Sequence, residues 1–164
     1  MNPEPIPVVL SAEEFRRACA RYATGVTVTT VEGTDGAPQG LTVNSLTSVS
    51  LDPPLVLVCI DKAADTLPHF LAAKGFAINI LTEEQIDISR HFATFAGDRF
   101  DGLPWQPGMH GAPILEGVLA SLECAMHGRF DGGDHTIFVG RVERASIHPG
   151  TPLVYFAGAY RRLG

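Results

Sequence analysis

Three stretches of the chain carry side chains suited to holding or transforming a small polar molecule. The first, Gly40–Pro54, sets Thr42, Asn44, Ser45, Thr47, Ser48 and Ser50 between two apolar runs. Short hydroxyl and amide groups add little to a core, but beside accessible backbone they suit a polar, planar or phosphorylated ligand. The same run also reads as an ordinary Ser/Thr-rich edge strand. The second, Ser89-Arg90-His91-Phe92-Ala93, offers a guanidinium fork for a phosphate, or a solvated charge near a helix end. The third, Gly132-Gly133-Asp134-His135-Thr136, places an imidazole just after a tight turn, either in the mouth of whatever the strands enclose or on the surface.

Side-chain chemistry of the usual kinds has no foothold. The chain contains no Gly-x-Gly-x-x-Gly, no Gly-Lys-Ser/Thr phosphate loop, no His-Glu-x-x-His, no Cys-x-x-Cys and no Gly-x-Ser-x-Gly. If the chain is an enzyme, a bound cofactor is expected to carry its hard chemistry. The other histidines (His69, His91, His110, His127, His148) show no metal-ligand spacing. His127 and His135 face each other across a hairpin, but no third ligand is indicated. Trp105 suits stacking on a planar ligand or packing in a core or interface.

These residues need strands to position them. Residues 1–10 are Pro-rich and read as an extended arm, leaving 11–164 as one domain. Ser11-Ala12-Glu13-Glu14 is a capping box, and Phe15, Ala18, Cys19 and Tyr22 follow on one helical face, which is expected to cover something apolar. Val26–Glu32 alternates Val with Thr, the pattern of a half-buried strand. Turn residues at 33–38 make a hairpin into the Gly40 stretch. Leu55–Ile60 is apolar throughout and is expected to be a central strand covered on both faces.

Further along, Thr66-Leu67-Pro68 opens a short helix and Phe76–Leu81 is a strand. Thr82-Glu83-Glu84-Gln85 is a second capping box, whose helix runs to about Phe92. Residues 94–113 lack periodicity, and a loop of that length is expected to be functional or an interface arm. Leu119–Phe130 and His135–Ile147 are long strands around an Asp131–Asp134 turn, and Leu153–Tyr160 is a last strand. Hairpin-linked strands with three short helices predict a mainly β fold, an antiparallel barrel with peripheral helices.

Bulk properties narrow the partners. The net charge of -6 and the lack of a Lys/Arg cluster speak against nucleic acid. No run of about 18 apolar residues predicts a membrane helix, and residues 1–5 do not resemble a signal peptide. Cys19, Cys59 and Cys124 are odd in number and lie in apolar surroundings, so they are expected to be buried free thiols in a reducing cytoplasm. The mean hydropathy of +0.13 is slightly apolar for a lone soluble domain and points to a buried subunit interface.

Taken together, Tyr22–Val26, Gly40–Ile60, Phe76–Leu81, Ser89–Ala93, Asp98-Arg99-Phe100, Gly111-Ala112-Pro113, Gly117–Cys124, Gly133–Gly140 and Pro152–Phe156 resemble the flavin reductase family with the FMN-binding split-barrel fold. The resemblance runs from about residue 14 to 162. It implies an NAD(P)H:flavin oxidoreductase that transfers hydride to FMN or FAD and supplies reduced flavin to a partner monooxygenase, with NADH or NADPH as donor, in a cytoplasmic homodimer. It further implies that Thr42, Asn44 and Ser45 line the flavin. Ser48, Val49 and Ser50 would offer backbone and hydroxyl groups to it, with Cys59, Ile60 and Asp61 passing beside the pocket. Ser89 and Arg90 would hold the phosphate end, Phe92 and Ala93 would close the wall, and His135 would lie near the nicotinamide or its ribose. A non-catalytic flavin-binding module and a split-barrel oxidase that retains its flavin are the alternatives.

Overall fold

A computed structural model describes residues 10–94 and 96–163; the predicted arm at 1–10 lies, Leu10 apart, outside them. The first helix, α1 (Ala12–Cys19), starts where expected, because the Ser11 hydroxyl accepts from the Glu14 amide and the Glu14 carboxylate accepts from the Ser11 amide. That backbone bond also holds the Glu14 carboxyl below the usual carboxylate range. Strands β1 (Thr24–Gly25), β2 (Thr27–Glu32), β3 (Pro38–Val43), β4 (Thr47–Leu51) and β5 (Pro54–Asp61) follow, then α2 (Leu67–Ala72) and β6 (Gly75–Ile80). A 3-10 turn capped by Thr82 and Gln85 leads into α3 (Ile86–Thr94). The rest is β7 (Trp105–Pro107), β8 (Pro113–Leu115), the long pair β9 (Ala120–Gly132) and β10 (His135–Ile147), and finally β11 (Val154–Phe156) and β12 (Ala159–Arg161).

Seven strands form one antiparallel sheet in the order β3-β2-β6-β9-β10-β5-β4. Its two edge strands, β3 and β4, are consecutive in sequence and joined by residues 44–46 alone. Four extended Cα steps span at most about 14 Å, so the sheet must curl until its edges nearly meet. The result is a barrel split along one seam, as predicted, with Asn44-Ser45-Leu46 crossing the split. Inside it pack Val43, Val58, Ile60, Phe70, Phe76, Ile78 and Phe138. A second core, Val28, Leu81, Phe92, Phe100, Leu115 and Leu153, fills the space between the sheet and α3 with the 96–118 segment.

Burial of two strands differs from expectation. β5 is not doubly covered: Val56, Val58 and Ile60 are buried, while Leu55, Leu57 and Cys59 are half-exposed. It lies next to an edge, and an apolar run does not by itself require two covered faces. β2, like β6, is instead buried on both faces, and two of its three threonine hydroxyls find partners. Thr27 Oγ1 donates to the Val43 carbonyl at 2.8 Å and Thr30 Oγ1 to the Pro113 carbonyl at 2.6 Å. A satisfied threonine is cheap to bury.

Of the predicted 94–113 loop, residues 96–113 become a cover over the second core, pinned by Asn79. Its side-chain amide faces the carbonyls of Val28 (3.1 Å) and Pro113 (3.3 Å), and its oxygen accepts from the Leu115 amide at 2.9 Å. The last predicted strand is a hairpin, β11–β12, turning at Ala157 (φ 52°) and Gly158 (φ 78°). Positive φ at both turn positions is the two-residue geometry that matches strand twist. Nor does α1 bury its apolar face against the other described residues: Phe15 and Tyr22 are 59% and 77% exposed.

The cysteines separate by environment. Cys19 is exposed, Cys59 is half-buried, and Cys124 alone is buried as expected. Burial, reinforced by the nearby Glu143 and Glu123 carboxylates, pushes the Cys124 thiol up to about 12. Since the thiolate is the nucleophile, native protein treated with iodoacetamide at pH 8 is expected to be alkylated at Cys19 and untouched at Cys124. Peptide mass mapping checks this, and equal labelling of the two would contradict it.

Candidate active site

Where β3, α3 and the β11–β12 hairpin converge, they leave a cavity of about 240 Å³ lined by Val26, Thr42, Asn44, Ser89, Ala93, Tyr155 and Tyr160. Thr42 stands on β3 just before the split, and its hydroxyl donates to the Ser89 carbonyl at 2.6 Å, tying the barrel edge to α3. Ser89 is fully buried, and its hydroxyl lies 2.7 Å from the Tyr160 hydroxyl. Val26 and Ala93 supply apolar walls. Tyr155 and Tyr160 face each other across β11–β12, edge to face with centroids 5.5 Å apart.

The cavity adjoins a groove of about 630 Å³ along α1, and Asn44 and Tyr155 line both. Phe15, Cys19 and Tyr22 form one side of the groove, with the split-crossing residues Asn44–Thr47 opposite. The exposed face of α1 therefore borders a ligand-sized trough. At its side the Thr24 hydroxyl oxygen is buried without a partner among the described residues. A buried hydroxyl left unbonded is costly, and it marks a place where a ligand atom would be welcome.

Of the residues singled out from sequence, Thr42, Asn44, Ser89 and Ala93 are brought together in the cavity. Ser45 lines the groove, but its hydroxyl is engaged with β5: it accepts from the Cys59 amide at 2.8 Å and donates to the Cys59 carbonyl at 3.2 Å. It positions the split-crossing segment. Ser48, Val49 and Ser50 lie on β4 at the open edge of the sheet, where the register slips by one residue at Val49. The Ile60 side chain points into the barrel core, and Phe92 into the second core, edge-on to Phe100 at 5.0 Å.

Arg90 is largely exposed, 3.5 Å from Asp87, with its guanidinium 5.6 Å from the centre of the Tyr160 ring. It reaches the cavity through that ring. Asp61 and His135 are cross-strand neighbours at the end of β5 and β10 and line neither cavity nor groove within one chain. The His135 Nδ1 is 2.6 Å from Asp134, and this contact holds the Asp134 carboxyl below the usual range.

The sequence reading missed Tyr155 and Tyr160, along with Val26 and Thr24. Read as one continuous strand, Leu153–Tyr160 sends the two tyrosines to opposite faces. The Gly158 turn brings them to the same side. Gly158 between two short apolar runs was the available signal.

The flavin reductase like domain model matches residues 19–164. The chain is 43% identical over 158 residues to the FMN reductase (NADH) SmoA of Agrobacterium fabrum, covering 96% of this chain and 90% of that protein. It is 39% identical over 150 residues to the flavin-dependent monooxygenase reductase subunit HsaB of Mycobacterium tuberculosis, covering 89% and 79%. The solved NADH:FAD oxidoreductase SgcE6 of Streptomyces globisporus, in complex with NAD and FAD fragments, superposes with a TM-score of 0.87 at 43% identity, covering 93% of this chain and 92% of that one.

Proposed function

The chain belongs to the flavin reductase family, and on that footing we propose that it is an NADH-dependent flavin oxidoreductase whose FMN or FAD occupies the cavity and groove just described. The observation that carries this reading is the cavity and its adjoining groove, which share Asn44 and Tyr155, the one hydroxyl-rich and the other flanked by apolar side chains. A flavin has the same two halves: a phosphorylated ribityl chain and a broad flat ring. Bound there, the flavin would accept hydride from NADH and pass the electrons on to an oxygenase component.

The chain's own residues supply binding and order. Ser89 and Arg90 hold the phosphate end, and Thr42 keeps Ser89 in place through its carbonyl. Val26, Ala93 and the tyrosines exclude water along the ribityl path. The Asn44–Thr47 segment, pinned by Ser45 on Cys59, gives the ring system a fixed edge. Ser48, Val49 and Ser50 add the unpaired backbone groups of an edge strand. Such a site accelerates transfer by holding two planes in register, without any proton-moving side chain.

We assign the donor side to His135, near the nicotinamide or its ribose. Loss of one such contact is worth about 1 kcal/mol, or roughly fivefold. His135→Ala is therefore expected to raise KM for NADH about fivefold and to move the flavin KM less. Steady-state titration of each substrate tests this, and an equal rise in both would remove the assignment.

A homodimer fits the surface. Phe15 and Tyr22, which line the groove, are 59% and 77% exposed, and Val49 and Leu51 on the edge strand β4 are 49% and 96% exposed, apolar surface that a second copy would cover. Among the described residues no helix is long and apolar enough to cross a membrane, and we place the protein in the cytoplasm with its NADH supply. The deciding experiment measures NADH and NADPH oxidation with FMN, FAD or riboflavin added. Oxidation that rises with free flavin supports the proposal, retained flavin without oxidation supports a binding module, and silence in every combination removes the enzymatic reading.

A further inference from the structure

We propose that Tyr160 is a positioning residue that makes the site select phosphorylated over unphosphorylated flavin. This rests on the flavin-site reading above and deepens it. Tyr160 sits on β12, in the hairpin that β1 draws in through the pairs Thr24–Tyr155 and Gly25–Val154. Its hydroxyl has one partner among the described residues, the Ser89 hydroxyl at 2.7 Å, and Ser89 Oγ has no other. Two hydroxyls hold two hydrogens, and the bond between them uses one. Whichever acts as donor, one O–H remains free at the wall of the cavity that both residues line.

That free hydrogen is not isolated. The oxygen that carries it accepts from the other hydroxyl, and bonds linked in series polarise and strengthen each other. The same Tyr160 ring lies 5.6 Å beneath the Arg90 guanidinium, a stacking that offsets the pull of Asp87 at 3.5 Å. One side chain thus orders a hydroxyl donor and a cation beside the same cavity. A free hydroxyl donor in a lining that holds no carboxylate, with the Arg90 guanidinium just outside it over the Tyr160 ring, favours an anionic group, and the phosphate of FMN or FAD is the part that riboflavin lacks.

Tyr160→Phe isolates the claim, because it keeps the ring, its packing on Tyr155 and its place under Arg90 while deleting the O–H. Flavin fluorescence quenching, without NADH, reads Kd for FMN and riboflavin on wild type and variant, with thermal unfolding to confirm that the variant folds. The expected result is FMN binding weakened about 5- to 10-fold with riboflavin within about twofold of wild type. An equal loss for both flavins, or no change for either, overturns the inference. So does a wild type that binds FMN no tighter than riboflavin. Because the readout needs no turnover, a chain that binds flavin selectively but fails to oxidise NADH contradicts the proposed reaction while leaving Tyr160's role standing.

Discussion

Asn79→Ala is expected to destabilise the protein by about 3 kcal/mol, the largest effect of any single side-chain truncation considered for this fold. Asn79 is fully buried on β6, and its amide joins β2, through the Val28 carbonyl, to the cover's β8, through the Pro113 carbonyl and the Leu115 amide. Alanine leaves the Leu115 N–H buried and unbonded and opens a void between β6 and the 96–118 segment. For a chain of this length that corresponds to a melting temperature lower by about 6–12 °C. The cover holds Phe100 against Phe92, so α3 loosens as well and FMN binding should weaken in parallel. Urea and thermal unfolding measure the loss, and a shift below about 2 °C would show that the clamp is dispensable. Asn79→Asp should be no better, because a carboxylate keeps the acceptor and loses the donors.

Arg90→Ala carries the largest expected effect on function. A charge-assisted contact to phosphate is worth about 1.5–3 kcal/mol, so the Kd for FMN should rise on the order of 10- to 100-fold while riboflavin binding stays put. Arg90 is held loosely, between Asp87 and the Tyr160 ring, and it makes no structural bond whose loss would unfold α3. Arg90→Lys should recover only part of the affinity, since an ammonium lacks the planar fork and stacks less well. Titration at two ionic strengths separates the causes: a real phosphate contact loses strength with salt in the wild type and loses that sensitivity in the alanine variant. If FMN and riboflavin weaken together, Arg90 has another task.

Much of this was readable from local chemistry. Both capping boxes start their helical segments where Ser11 and Thr82 stand, because a cap is decided within four residues. The Asp131–Asp134 turn announced the long hairpin for the same reason. What the residues alone did not reveal depended on partners distant in sequence. The Val/Thr alternation of β2 looked half-exposed until Val43 and Pro113 arrived to accept the threonine hydroxyls. The apolar run of β5 looked central until its place beside the edge strand β4 was known. The terminal hairpin stayed hidden because its turn forces Ala157, a residue with no liking for positive φ, into φ 52°.

The site divided along the same line. Thr42, Asn44, Ser89 and Ala93 were legible as a polar seam and an Arg-bearing helix end, and they meet in one cavity. Ser45 shows why composition alone overreaches, for its hydroxyl serves the Cys59 backbone. Ile60 shares its side of β5 with Val56 and Val58 and follows them into the core. Tyr155 and Tyr160 could be placed only by a strand pairing that spans most of the chain.

During synthesis, β1 emerges from the ribosome long before its partner. At about 5–20 residues per second, Thr24 waits on the order of ten seconds for Tyr155. Every strand of the barrel ends at or before Ile147, whereas the hairpin that closes the cavity lies after it. Thr42, Asn44 and Ser89 belong to segments that precede the barrel's last strand, and Tyr160, which finishes the wall, follows it. The flavin selection inferred for Tyr160 thus rests on the part of the site that lies furthest along the chain from Thr24.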